Sequence, residues 1–287
     1  MNILCCGFFP ALQRTLEFAD LRVGQVNRAR GVLRSVGGKA ANSARVLKTL
    51  GAEPLLLGFA GGYTGRAVRD LLDDEGITHR FIDTNVETRI CQTILADGAD
   101  DFTELIEDSL PLPECDWQKM LETFGELESG FERIIFSGTL RSDAPSDIYA
   151  KLIVATDPAK VILDTVGAPL LAALEYRPAL VKINAEELRV TLGRDGETED
   201  LAQELIRRGA VAVGITDGGE TAMLVTLNET YKFSIPKVEV VSTLGCGDSV
   251  NAGIAFALAE GRSLKNSFSF GLNCGSANAQ TSMPGVI

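Results

Sequence analysis

Short apolar runs alternate along the chain with stretches whose apolar positions recur every three or four residues. Residues 3–9 form a continuous apolar run and predict a buried strand, as do 55–60, 133–137, 161–164, 180–183 and 211–216. Between them, helical spacing covers 39–50 (Ala40, Ala44, Leu47, Leu50, then a stop at Gly51) and 67–75 with a stop at Gly76. It also covers 114–127, 145–156, 168–174, 185–192 and 198–208. Strand–helix alternation of this kind predicts a doubly wound α/β sheet with right-handed crossovers.

Three stretches break the alternation. Residues 12–34 carry polar and β-favouring side chains without a helical period, and 89–107 predict two strands joined by a turn at Asp97-Gly98. Both predict excursions that pair into a small β lid. Residues 221–241 predict consecutive strands with a turn near Asn228. The closing segments, 249–260 and 264–280, predict helices rich in Ala, Gly and Ser, a composition that permits close helix packing or packing against a flat ligand.

Charge narrows the partners. The 287 residues carry 27 Lys+Arg against 39 Asp+Glu, a formal charge of -12. Nucleic acid and anionic membrane surfaces both select basic faces, so both are excluded as main partners. No run approaches the ~18 apolar residues of a membrane span. The six cysteines, at 5, 6, 91, 115, 246 and 274, form no CxxC pair, which predicts reduced thiols and a cytoplasmic protein rather than a zinc site or disulfide framework. The single histidine, His79, falls in a polar, loop-like stretch; a Ser-His-Asp triad or a His-rich metal site would have to use it, and a surface histidine without such a role is the expectation. Length admits either two domains or one large α/β domain.

Three glycine clusters fall where strands hand over to helices, the positions at which α/β sheets bind ligands. Gly37-Gly38-Lys39-Ala40-Ala41-Asn42 opens the 39–50 helix, and two glycines there permit close backbone approach to a ligand. Gly245-Cys246-Gly247-Asp248 opens an apolar helix; its successive N–H groups make a nest for an anion. Asp248 there acts either as an N-cap or as the acceptor of a hydroxyl proton. The helix N-terminus predicts a carboxyl held below its ordinary pKa. Thr216-Asp217-Gly218-Gly219 is either a tight turn or a loop against nucleotide phosphates. No GxxxxGK[ST] occurs, and no GxGxxG follows the first strand.

These clusters sit inside longer matching segments. GGKAANSAR at 37–45, SGTL at 137–140, LDTVG at 163–167, KINAEEL at 182–188 and GCGDSVNAG at 245–253 occur in the order seen in one family. Over nearly the whole chain the sequence resembles the phosphofructokinase B (PfkB) group of ribokinase-like carbohydrate kinases. TRICQTILAD at 88–97 and TELIEDS at 103–109 resemble its sugar-phosphate branch, of 1-phosphofructokinase, 6-phosphofructokinase and tagatose-6-phosphate kinase type.

The resemblance implies a ribokinase-like three-layer αβα sandwich, mostly parallel in its central sheet, forming a single kinase domain over 1–287 with lid segments at about 12–34 and 89–107. It implies ATP as donor with Mg2+, a sugar phosphate as acceptor, and a homodimer paired through the lid. Carried over by position, Asp248 is the catalytic base, and Gly245, Cys246 and Gly247 are the anion hole. Gly37, Gly38 and Asn42 contact sugar hydroxyls, and Lys39, Arg89 and Ser137 lie near the sugar's phosphate. Arg28 reaches a phosphate held by the neighbouring subunit. Lys182, Asn184, Thr216, Gly218 and Gly219 belong to the nucleotide site, with Gly275, Ala277 and Asn278 in its adenine wall. Glu187 addresses Mg2+ through water. Gln13 stands where the family's Asn-Pro-x-x-Asp segment has its sugar-gripping Asp, which alters the expected sugar preference. Cys246 replaces the usual Ala, and the chain closes on Pro284-Gly285-Val286-Ile287 where relatives carry a further helix, implying a more open nucleotide site. Two other readings stand beside this one: a kinase for an unphosphorylated sugar or nucleoside, and a non-catalytic sugar-phosphate sensor.

Overall fold

The computed structural model describes residues 1–97 and 102–287. In chain order the first half contains β1 (Asn2–Cys6), β2 (Ala11–Phe18), β3 (Gly31–Gly37), α1 (Lys39–Thr49), β4 (Glu53–Gly61), α2 (Gly62–Asp74), β5 (Thr78–Thr84), β6 (Ile90–Ala96), β7 (Thr103–Ile106) and α3 (Glu114–Leu127). There follow β8 (Arg133–Ser137), α4 (Ile148–Val154), β9 (Val161–Asp164), α5 (Gly167–Ala173), β10 (Leu180–Asn184) and α6 (Ala185–Leu192). The chain continues with α7 (Thr198–Arg207), β11 (Ala212–Asp217), β12 (Thr221–Thr226), β13 (Thr230–Ser234), α8 (Cys246–Ala259) and α9 (Leu264–Asn278).

The strands make two sheets. The larger runs β13-β12-β11-β10-β9-β8-β1-β4-β5, parallel from β11 to β5 and antiparallel at β12 and β13. Its interior strands are apolar on both faces because helices cover both. On β1, Leu4 and Cys6 join the core beneath α3–α7, while Ile3 and Cys5 join the core beneath α1, α2, α8 and α9. The period-2 alternation of a strand thus feeds two separate cores from one five-residue segment. Strand order reverses at β1, whose neighbours are β8 and β4. The carboxyl ends of β8, β9 and β10 therefore open onto the crevice where such sheets bind ligands.

The smaller sheet runs β3-β2-β6-β7, with β2 antiparallel to β3 and parallel to β6. It is the pair of predicted excursions brought together. A two-pronged Arg30–Asp97 ion pair, at 2.5 and 2.7 Å, ties its far end. The predicted turn includes Asp97; Gly98 lies outside the described residues.

Several boundaries differ from expectation for identifiable reasons. Helix α2 begins five residues before the predicted Ala67, because Glu87 accepts the Thr64 amide at 2.7 Å and caps the helix from a distant loop. Helix α4 starts at Ile148, not at Pro145. The 221–241 stretch contributes only β12 and β13. His79 lies in β5, a strand that periodicity misses because its polar positions dominate; the ring stacks on Phe81 and sits 3.2 Å from Asp73. Helix α8 starts at Cys246 rather than Ser249, so Gly245 is its N-cap and Asp248 lies inside the first turn. No described helix is long and apolar enough to cross a membrane.

Candidate active site

Three cavities follow one another along the carboxyl edge of the large sheet. The central one, about 680 Å3, has Lys39, Asn42, Asp164, Lys182, Glu187 and Asp248 on its floor, and Gln13, Ser35, Cys91 and Glu104 of the small sheet on its facing wall. A recess of about 250 Å3 continues from it past Gly37, Gly38 and Lys39 to Arg89, Ser137 and Tyr149. A third, largely apolar cavity of about 530 Å3 is bounded by Thr216, Gly218, Gly219, Val238, Val250 and Gly275. It meets the central cavity at Thr243 and Gly247, at the start of α8.

That start carries backbone donors without acceptors. Gly245 takes φ +81, and a Cβ there would lie 2.8 Å from Pro284. The Cys246 amide turns back to the Thr243 carbonyl at 3.3 Å. The amides of Gly247 and Asp248 have no acceptor among the described residues. Of the residues expected to form an anion hole, Cys246 turns its amide back into the loop, while the Gly247 amide and that of the adjoining Asp248 remain available as donors. A Cβ on Gly247 would come within 2.8 Å of Lys182 Nζ, so a buried ammonium lies directly under these donors. Gly245→Ala is expected to lower stability by about 1–3 kcal/mol through its φ and the Pro284 clash. Thermal denaturation measures it; an unchanged midpoint would contradict the role of this glycine.

Lys39 opens α1, since Gly38 takes φ +113 as its N-cap. Its Nζ donates to Asp164 Oδ1 at 2.6 Å and lies 4.0 Å from Glu187 Oε1. Asp164 Oδ2 accepts from Asn251 at 2.6 Å, with Lys182 Nζ at 3.9 Å. Burial opposes the charge on Asp164, but Lys39 and Lys182 outweigh it and hold the carboxyl below its ordinary value. Asp248 behaves oppositely. Burial raises its carboxyl from 3.8 to about 6, with Lys39 pulling it down and Asp164 pushing it further up. The expected lowering at a helix N-terminus is thus overturned by desolvation: the side chain is 7% exposed. Two neighbouring carboxyls driven in opposite directions make a pair in which one stays a fixed anion while the other can take up a proton near neutral pH.

Asn42 donates to Asp248 Oδ2 at 2.8 Å, while Asp248 Oδ1 has no hydrogen-bond donor among the described residues. Asn184 and Glu187 form a reciprocal capping box on α6, each side chain engaging the other's backbone. That engages Glu187 Oε2 and leaves Oε1 toward the cavity. In the recess, Arg89 donates to the Phe9 carbonyl at 3.3 Å, yet its Nε and the Ser137 hydroxyl are buried with no partner. Gln13 is buried and donates to Thr93 Oγ1 at 2.8 Å, which leaves its Oε1 beside Gly37.

Three predicted site residues lie elsewhere. Asn278 does not line the apolar cavity. It is fully buried, donating to the Leu244 carbonyl at 2.9 Å and accepting from Ser249 at 3.1 Å and the Gly285 amide at 2.7 Å. It fastens the chain end against α8, and Ala277 likewise lines no part of that cavity. Arg28 is exposed on the β2–β3 loop and does not reach the cleft of its own chain. Pro284 lines the central cavity. Asp164 is the principal residue that sequence reasoning left unassigned. Its place in LDTVG, at the carboxyl end of a parallel strand, was the available signal.

Comparison with known proteins agrees with this geometry. The model of the pfkB family carbohydrate kinases matches residues 11–286. The chain belongs to the pfkB carbohydrate kinase family. It is 32% identical over 276 residues to a 1-phosphofructokinase of Bacillus subtilis (strain 168), covering 94% of this chain and 90% of that protein. A 1-phosphofructokinase of Borreliella burgdorferi is also 32% identical over 276 residues, covering 94% and 89%. The crystal structure of phosphofructokinase-2 from Escherichia coli in complex with fructose-6-phosphate superposes with a TM-score of 0.85 at 25% identity, covering 97% of this chain and 93% of that one. The fold is ribokinase-like. This PfkB kinase is accordingly a phosphotransferase with an alcohol group as acceptor, and family membership implies ATP as donor.

Proposed function

We propose that this kinase transfers the γ-phosphoryl group of ATP to a hydroxyl of a phosphorylated ketohexose, of the fructose-1-phosphate, fructose-6-phosphate or tagatose-6-phosphate type. The observation that carries the phosphorylated acceptor is the recess. Arg89 Nε and Ser137 Oγ are buried donors without partners, and Lys39 borders the same space. Orphaned buried donors are costly unless a ligand satisfies them, and a phosphate offers acceptors for all three. The names of the Bacillus and Borreliella relatives agree with this reading.

The nucleotide occupies the apolar cavity, with Thr216, Gly218 and Gly219 at its phosphate end and Gly275 where α9 approaches α8 closely. The sugar ring lies over Gly37, Gly38 and Asn42, with Gln13 offering a neutral amide where a carboxylate is usual. Gly247 and Asp248 amides, with Lys182 beneath, relieve charge on the migrating phosphoryl group; one such donor contributes about 2.7–4 kcal/mol elsewhere. Asp248 orients the acceptor hydroxyl through Oδ1 and takes its proton as the new P–O bond forms. Glu187 would hold Mg2+ through water, and the ion, when bound, would neutralise charge on the nucleotide phosphates. A single free carboxylate oxygen, Glu187 Oε1, suits an ion that keeps most of its water.

The chain forms one kinase domain over 1–287 in this proposal, with lid segments 12–34 and 89–107. Val32 and Leu33 on one edge strand of the lid and Leu105 and Ile106 on the other are exposed. These favour pairing with the lid of a second copy, which brings Arg28 within reach of the partner's phosphate site. Six free thiols agree with a cytoplasmic location.

Arg89→Ala is expected to raise KM for the sugar phosphate roughly 10–100-fold with KM for ATP unchanged. Steady-state ADP release across sugars and sugar phosphates measures it. An unphosphorylated sugar preferred by wild type and indifferent to Arg89 would replace this reading. No ADP release with any acceptor would favour a sensor.

A further inference from the structure

Arg45 is buried one turn beyond Asn42 on α1. Its guanidinium grips Glu75 with Nε at 2.6 Å and Nη2 at 3.0 Å, and Nη2 also donates to the Val36 carbonyl at 2.6 Å. Nη1 donates to Asn42 Oδ1 at 3.1 Å. Asn42 in turn donates from Nδ2 to Asp248 Oδ2 at 2.8 Å. An unbroken chain thus runs from the end of α2, through α1, to the first turn of α8.

The chemistry of the two ends fixes the middle. Guanidinium has only donors and carboxylate only acceptors, so an amide held between them satisfies both in one orientation alone. Flipped, it would set its carbonyl against Asp248 and its NH2 against Arg45, both repulsive. We propose that Arg45 is a positioning residue for phosphoryl transfer: it locks the Asn42 amide so that its NH2 holds one oxygen of Asp248 and the other faces the acceptor hydroxyl. The same guanidinium holds Val36, next to the Gly37-Gly38 root of the lid, so lid anchoring and carboxylate aim share one group. The inference rests on Asp248 being the proton acceptor, as argued above.

Other charged or titratable groups reach Asp248 from the surrounding elements: Lys39 on α1, Asp164 on β9, Lys182 on β10 and Cys246 on its own helix. Arg45 contacts none of them through a hydrogen bond; its path to Asp248 is the Asn42 amide. The Asn42 bond favours the ionised carboxylate, so losing its orientation moves the acid limb of activity toward higher pH.

The test measures kcat and KM against pH for Arg45→Ala, Arg45→Lys, Asn42→Ala and the Arg45→Ala/Asn42→Ala pair. Arg45→Lys keeps a positive charge for Glu75, lacks the fork that spans three partners, and serves if the alanine variant does not fold. Expected for each Arg45 variant is a roughly 10-fold fall in kcat, with KM for ATP within about twofold. The acid limb should rise by about half to one pH unit. In the Asn42→Ala background, Arg45→Ala should add less than about twofold. A lowered melting temperature with an unmoved acid limb overturns the inference, as do single effects that multiply in the pair. Asp248→Asn separates the two claims. If it retains turnover, the proton-acceptor reading fails; if it is inactive while the Arg45 variants keep the wild-type limb, only the role of Arg45 fails.

Discussion

Replacing Asp248 with Asn should abolish most turnover while leaving a folded, nucleotide-binding protein. The loss expected for a positioned proton acceptor is roughly 10²–10⁴ in kcat. Packing survives, because the amide oxygen of the variant can still accept the Asn42 bond that Asp248 Oδ2 accepts at 2.8 Å. The pH signature is more diagnostic than the loss. With the wild-type carboxyl raised from 3.8 to about 6 by burial, kcat/KM should fall as pH drops through about 6. Stability should move the other way. A carboxyl raised in the folded state contributes stability that is fully present below 3.8 and lost as pH rises through about 6. A shift of that size is worth on the order of 2–3 kcal/mol. Asp248→Asn should remove this slope, making the ligand-free variant at least as stable as wild type at pH 7.5. Denaturant melts at pH 4 and pH 7.5, with ADP release, measure both halves. Wild-type activity in the variant, or a steeply less stable fold, would overturn the assignment.

The second large effect belongs to Lys39. Lys39→Met removes the ammonium that meets Asp164 at 2.6 Å and leaves a buried carboxylate with Asn251 and a Lys182 ammonium 3.9 Å away. Breaking a buried pair from one side costs about 3–5 kcal/mol. For a chain of this size the melting temperature should fall by roughly 6–15 °C. KM for the sugar phosphate should rise as well, since Lys39 also borders the recess beside Arg89 and Ser137. Adding Asp164→Asn should restore most of the stability by neutralising the stranded charge, without restoring catalysis. Calorimetry on the single and double variants decides: equal midpoints for Lys39→Met and wild type would show that the pair carries no such load.

What was legible beforehand follows the kind of physics each feature depends on. Strands β8 and β9 are unbroken apolar runs bounded by polar residues, and their limits were readable to the residue. Helix α6 was equally clear, because its stop at Gly193 is written locally. Strand β5 was not, because THRFIDT buries only a few positions at the sheet edge. The start of α2 depends on Glu87, which lies far along the chain from the helix it caps. The same division runs through the site. Glycines at 37, 38, 245 and 247 announced close backbone approach, and at 38 and 245 the positive φ of +113 and +81 strains any other residue. The charge state of Asp248 was misjudged because a helix terminus is visible in sequence and desolvation is not. The buried bonding of Asn278 was not legible, because a polar residue among small ones looks like a pocket wall, whereas its partners at Leu244, Ser249 and Gly285 are brought to it by the fold. Asp164 went unassigned because only the fold brings it against Lys39.

The meeting of two cavities at Thr243 and Gly247 has a stereochemical consequence. With the nucleotide in the apolar cavity and the sugar phosphate in the central one, as proposed, donor and acceptor approach the start of α8 from opposite sides, and Asp248 acts there as proton acceptor. The Cys246 thiol is turned toward the Ser242 carbonyl and Asn278, at 3.9 and 3.6 Å. The proposed layout predicts a single displacement within a ternary complex. A chirally labelled γ-phosphorus would leave with its configuration inverted, and double-reciprocal plots at varied co-substrate would intersect rather than run parallel.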